Sequence, residues 1–556
     1  MAVIKIPGSK VDLITIPIAE PGRSNHEWRN QGAFAALTES GSIITWGRSY
    51  DGGDRPAGLQ GKFVDLFGNR HSFAGLRADG SLVTWGAGSK GGNSSQVASA
   101  LSSGVERVFS TRRAYAALKR DGSVVTWGEA KEGGDSSEVA SDLKGGVKEI
   151  FTSSTSMAAL KKDGSVVTWG LATTDARSEE LGGSIDTGEP RGGDSSGVAE
   201  QLKGNVQTIF STRYAFAALK KNGSVITWGD SKRGGDSSSV SKQLRGGVKT
   251  ITSTGYAFTA LKTNGSAVCW GLASRGGDAS KVAKQLRNDV KDIYSARYAF
   301  AARLKDGAVV TWGDDKRGGN SNSVKQQLKS GVQDIFSTRY AFAALKKNGS
   351  VITWGHNKKG GNSKSEADEL KSGVEQIFST RYAFAALKKD GSVVTWGQAS
   401  AGGDSGSVAK KLQDGVVHIF TTGYAFAALK EDGSIVSWGD PGRGGDSSKA
   451  LAGIKDKVVG FADPFSRPAS SMRLRQALPD PLPDPLIDGL PRRSTNPAQQ
   501  LPLRSQARHS QQSPPEPALT NPLLAPAQAS PFNRDPLADA QVGMAARDPG
   551  GAFRWV

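Results

Sequence analysis

The sequence predicts an all-β repeat protein, a β-propeller-like array of ten ~42-residue units followed by a Pro-rich C-terminal tail. Three observations predict it. The stretch "RYAFAALKKDGSVVTWG" (381–397) recurs with small edits along the chain, a Trp-Gly pair closes each copy, and the spacing between the closing pairs is nearly constant. A fixed period of this length marks a supersecondary unit that cannot bury its own apolar face, so neighbouring units must stack.

The closing pairs give the ruler: Trp46, Trp85, Trp127, Trp169, Trp228, Trp270, Trp312, Trp354, Trp396 and Trp438. The gaps are 42 residues except for 39 at the start and 59 between Trp169 and Trp228, where an acidic polar insertion, 171–187, adds 17. Within each unit, Asp390-Gly391 and its counterparts sit between two apolar runs. That pattern predicts a β-hairpin with a two-residue turn and positive φ at both central positions.

Between hairpins, "GGDSSSVSKQL" (234–244) predicts a short capped turn, with Asp236 accepting backbone N–H bonds, and "VKTITST" (248–254) predicts a third strand. Ala383 and Ala385 alternate with Tyr382 and Phe384, and Val393, Val394 and Trp396 leave little polar surface on either face. Strands apolar on both faces are covered on both. A closed ring is favoured over an open superhelix or a split propeller, because closure removes exposed edges.

Three regions follow: a lead-in at 1–31, the repeat domain at 32–466, and a tail at 467–556 that holds 16 of the 23 prolines and no lysine. The tail's composition predicts disorder. It reads either as a recognition tail or as sequence translated out of frame. No apolar run is long enough to span a membrane. No signal peptide is visible, so the expected location is the cytoplasm, with non-classical secretion left open.

The stretch "VDLFGNRHSFAGLRADGSLVTWGAGSKGG" (64–92) resembles the repeat of the regulator of chromosome condensation family, and the D-G-x-V-x-x-W-G core is kept in most units. The family's His appears only as His71; most units have Tyr214, Tyr256, Tyr298, Tyr340, Tyr382 or Tyr424 there, and G-Q-L-G is replaced by Gly-Gly-Asp/Asn. The resemblance implies a β-propeller, usually of seven blades, and guanine-nucleotide exchange on a small GTPase or a non-catalytic interaction role. No stretch matches the family's exchange loops residue by residue, so no catalytic residue is carried over.

Chemistry-bearing motifs are sparse. The single cysteine, Cys269, excludes an internal disulfide framework and a Cys-based zinc site. The five histidines share no ligand spacing, and the recurring Asp/Asn after Gly-Gly is better explained by capping than by calcium. Neither a metal nor a cofactor is expected, and the reading leans away from an enzyme.

Charge is the more informative feature. The net charge is +18 and the isoelectric point about 9.7, which permits anionic partners without naming one. Fifteen residues before the closing Trp stands a first basic column: Arg70, Arg112, Arg213, Arg297, Arg339 and Arg381, interrupted by Gln31, Ser154, Gly255 and Gly423. A second column follows the Trp-Gly: Lys90, Arg191, Arg233, Arg275, Arg317, Lys359 and Arg443. Both flank the hairpin end opposite the Asp-Gly turn, so stacking would gather them on one rim. The expected function is a non-catalytic scaffold that binds a protein through this rim. The alternative is a guanine-nucleotide exchange factor for a small GTPase; nucleic acid would bind without specificity.

Overall fold

The computed structural model describes residues 30–56, 59–172, 191–454 and 456–462, with the backbone of a short strand pair, Ala2–Val3 and Thr15–Ile16. Most of the lead-in, most of the insertion and all of the tail lie outside the described residues.

Each unit builds an antiparallel three-stranded sheet in the order first, second, third. In unit 6 these are Val248–Ser253, Ala257–Lys262 and Ala267–Gly271. The second strand carries small alanines beside a phenylalanine and is buried on both faces, as its two-sided apolar pattern requires. The first strand does not alternate strictly. A register shift between Val248 and Thr250 marks a bulge, after which Ile251, Thr252 and Ser253 are all buried.

The hairpin turn differs from the two-residue form. Leu387 pairs with Val393, leaving Lys389-Asp390-Gly391 as a three-residue loop between Lys388 and Ser392. Only the glycine has positive φ (78°); among the described non-glycine residues only Asn205 and Asp289 are positive. The Asp390 side chain accepts the Ser392 N–H at 3.0 Å, which holds the aspartate in an ordinary backbone region. A type I turn closed by a left-handed glycine is the three-residue hairpin solution.

After every third strand but the first, the Asp or Asn predicted as a cap accepts the N–H two residues on, as Asp236 does from Ser238 at 2.8 Å and Asn320 from Asn322 at 2.9 Å. A short 3-10 turn follows, and its leucine carbonyl caps the edge of the third strand: Val225 N–H donates to Leu244 O at 3.0 Å. The same bond recurs at Val309 and Leu328 and at Val351 and Leu370, so the outer edge is partly covered. Cys269 sits on a third strand against the Thr259 hydroxyl at 3.3 Å, and burial pushes its thiol up to about 12.

The tryptophans join the units. Trp312 stacks on Phe300 of its own sheet, while its Nε1–H donates at 3.2 Å to Gly276 O of the preceding unit. The same donation runs from Trp85 to Gly52, from Trp228 to Gly192 and from Trp438 to Gly402. Each apolar cluster lies between two consecutive sheets, as where Ala215, Ala217 and Leu219 of unit 5 meet Ile251, Phe258 and Trp270 of unit 6. The unit is thus one sheet, and the core is the interface.

The array closes. The last strand, Val458–Phe461, is a first strand without a hairpin, and it pairs with Ala33–Thr38, which begins the chain's first hairpin. Phe34 and Trp46 then pack on Ala425, Ala427 and Leu429 of unit 10, and Trp46 Nε1–H reaches Gly444 O at 3.0 Å. Ten sheets therefore form one ring, closed by a sheet drawn from both ends of the repeat region.

Candidate functional site

Neighbouring first strands touch along the inside of the ring. Ser253 donates to Ser211 O at 2.6 Å, Ser337 to Ser295 O at 2.8 Å and Ser379 to Ser337 O at 2.9 Å, each one unit back. The loop from first to second strand, Thr-Arg-Tyr in most units, continues this inner circle. Backbone bonds run from loop to loop around it: Arg112 N to Ser154 O, Ser154 N to Arg213 O, Arg213 N to Gly255 O, Gly255 N to Arg297 O, Arg339 N to Arg381 O, Arg381 N to Gly423 O and Gly423 N to Asn30 O, at 3.0 to 3.3 Å.

The threonine fixes each loop. Thr338 Oγ1 accepts the N–H groups of Tyr340 (3.1 Å) and Ala341 (3.0 Å) and donates to Lys359 O at 3.0 Å. Thr254 and Thr422 tie Arg275 O and Arg443 O in the same way. One hydroxyl thus locks the loop of the first basic column to the loop of the second.

The two columns lie at the ring end away from the Asp-Gly turns, but their surroundings differ. In the first column Arg112, Arg213, Arg339 and Arg381 are buried, and Arg70 and Arg297 are half-buried. They form the inner floor of this end rather than an outer rim. Burial holds the Arg70 guanidinium well below its usual value, and the positive charges of Arg381, Arg112, Arg339 and Arg213 add to the effect. Those residues belong to units 9, 3, 8 and 5. Arg112 has a carboxylate, Glu132, at 2.8 Å, and still burial lowers its pKa, with Arg213 and Arg113 contributing.

The interruptions in the column have a steric reason. A Cβ at Gly255 would stand 3.1 Å from Arg213 Cδ and 3.4 Å from Arg297 Cγ, and one at Gly423 would stand 3.1 Å from Arg381 Cζ. Ser154 Oγ accepts Arg213 Nε–H at 3.3 Å. Small residues make room for the neighbouring guanidiniums.

The second column is an outer layer built on tyrosine. Tyr214, Tyr256, Tyr298, Tyr340, Tyr382 and Tyr424 follow one another at ring-centroid distances of 5.4 to 5.7 Å. Arg191 lies over Tyr214 at 4.6 Å, Arg317 over Tyr298 at 4.5 Å, Lys359 over Tyr340 at 4.1 Å and Arg443 over Tyr424 at 4.2 Å. Arg233 and Arg275 stack on Tyr214 and Tyr298, both at 4.9 Å. Most of these cations also have acids: Arg191 and Arg233 share Asp230, Arg275 and Arg317 share Asp314, Arg443 meets Asp440 and Lys90 meets Glu129. Burial pushes the Tyr298 and Tyr382 hydroxyls up, whereas at Tyr424 burial is overcome by the Arg381 and Arg443 charges together with hydrogen bonds from Arg381 and Tyr382, and the net shift is down.

The tyrosine belt and the acids are what charge counting along the sequence misses. The signal for the acids was present: Asp230, Asp314 and Asp440 each follow a Trp-Gly directly and precede an arginine by three.

No protein-family model and no curated protein matches the chain. Solved structures do. Yeast RCC1 (Prp20), in its complex with Kap60, is 13% identical with a TM-score of 0.30, covering 64% of this chain and 87% of that one. Prp20p from Saccharomyces cerevisiae, solved in a study of its binding to Gsp1p and histones, is 15% identical with a TM-score of 0.29, covering 62% and 86%. The computationally designed Ika8 protein is 13% identical with a TM-score of 0.27, covering 61% and 97%. RCC1 thus stands among the structural neighbours at low identity, and function is argued from this chain's own residues.

Proposed function

We propose that the chain is a non-catalytic protein-interaction scaffold whose binding face is the loop end of the ring. The observation that supports this most is the tyrosine belt with its stacked arginines and lysines. Tyr298, Tyr340, Tyr382 and Tyr424 are half-buried, so each ring offers a rigid aromatic edge beside a cation. Tyr and Arg held in fixed rotamers are the residue types that anchor protein interfaces. The threonine ties spare a partner the cost of ordering these loops. The preferred partner is an acidic protein surface, since the belt's cations have only part of their charge compensated.

Exchange on a small GTPase is the finer alternative, and one assay separates the two. The full chain is added to a panel of small GTPases loaded with fluorescent GDP, and bound protein is scored by pull-down in parallel. The scaffold reading expects a partner whose binding falls with Arg233→Ala/Arg317→Ala and no acceleration of GDP release. Accelerated release from any GTPase would replace it with the exchange reading.

A further inference from the structure

Six of the seven cations in the outer column meet a carboxylate, and the pairs follow two rules. Lys90 bonds Glu129 at 2.6 Å, Arg191 bonds Asp230 at 2.9 Å and Arg275 bonds Asp314, each across 39 residues. A cation of one unit thus takes the acid that follows the next unit's Trp-Gly. Arg233, Arg317 and Arg443 take the acid three residues before them, in their own unit.

Lys359 is the exception under both rules. Three residues before it stands His356, and 39 residues after it stands Gln398. The Gln398 amide donates instead to Ser400 Oγ at 2.9 Å. Partial burial and then the Lys359 charge hold the His356 imidazole below its usual value, so at neutral pH it neither cancels nor adds to the charge of the ammonium. Its Nδ1 is buried without a hydrogen-bond partner among the described residues. The Lys359 ammonium lies 4.1 Å from the Tyr340 centroid and 5.0 Å from that of Tyr382. Among the described residues it has neither a side-chain hydrogen bond nor an ion pair.

A half-buried ammonium set on two aromatic faces has lost part of its water, and an ionic partner gains more from it than from a fully hydrated lysine. The other units show which group fits. Lys90 with Glu129 is the same residue type at the same place in its unit, already holding a carboxylate. We propose that Lys359 is the anchoring point for one carboxylate side chain of the partner, Asp or Glu, which takes the place that Glu129, Asp230 and Asp314 fill in the other units. This rests on the loop end being the binding face, and it narrows that face to units 8 and 9.

Fluorescence anisotropy of the full chain with a fluorescein-labelled hexaglutamate peptide tests it, with hexaglutamine as the uncharged control. Hexaglutamate should bind where hexaglutamine does not, and Lys359→Met should weaken binding about fivefold. Gln398→Glu, which supplies the internal acid that Lys90 already has, should weaken it as much although the lysine remains. Lys358→Met removes an exposed charge one residue away and should change binding by less than about twofold. All three substitutions lower the net charge by one, so equal effects would mean that the probe reads overall charge and would overturn the proposal. So would binding that Gln398→Glu leaves unchanged, no binding of hexaglutamate, or tighter binding of a thymidine hexanucleotide through the same lysine, which would make this a phosphate site. Hexaglutamate binding that falls with Arg233→Ala/Arg317→Ala but not with Lys359→Met would overturn the proposal while the loop end stays the binding face.

Discussion

The two basic columns are one residue type in two electrostatic settings. Arg317, in the outer column, lies between the Tyr298 ring at 4.5 Å and the Asp314 carboxylate at 3.0 Å. Arg70, in the inner one, faces the positive charges of four other units. An arginine at a given offset from a repeated Trp is therefore not a role. The outer cations sit between carboxylates and aromatic faces, whereas the inner ones, of which Arg213, Arg297 and Arg381 also lie over tyrosine rings and Arg112 meets Glu132, are more deeply buried.

The largest expected effect comes from removing the acid that makes Arg112 resemble an outer-column residue. Glu132→Gln should lower stability by roughly 3 kcal/mol, read by chemical denaturation, because Arg112 is then buried among positive charges alone. Cutting the tie between the columns should cost less. Thr338→Val removes a hydroxyl that satisfies two N–H groups and bonds Lys359 O, and should cost about 2 kcal/mol. Loss of lysine stacking on Tyr340 would appear as a changed tyrosine signal in NMR spectra. Arg317→Met, which takes one cation from the belt, should destabilise by about 1 kcal/mol and less at high salt.

Much of the fold was legible because one period repeats a complete solution. The Trp-Gly ruler located every hairpin, and the indole N–H bond to the preceding unit explains why the Trp is the regular element. The turn type was misread: an Asp-Gly pair suits both a two-residue and a three-residue hairpin, and the Ser392 N–H bond to Asp390 selects the longer. Ring closure was written less plainly, in "VVGF" (458–461), a first strand with no hairpin after it, set against a chain whose repeats begin at a second strand. The site was half legible. Offsets placed both columns at one end, but their burial depends on the radius of a ten-sheet ring, which no single unit encodes. The clue lay in Ser154, Gly255 and Gly423, small residues that read as gaps and serve as space.

The comparison rests on the sign of one difference. Thermal melting of Arg70→Met beside Arg317→Met, both in low-salt buffer without phosphate, measures it directly. Arg70 loses protonation free energy on folding, since burial and four like charges oppose its charge, so its neutral replacement should raise the melting temperature by about 2 °C, whereas Arg317→Met should lower it. A fall in both variants would contradict the account, because the charge of Arg70 would then favour the fold as that of Arg317 does.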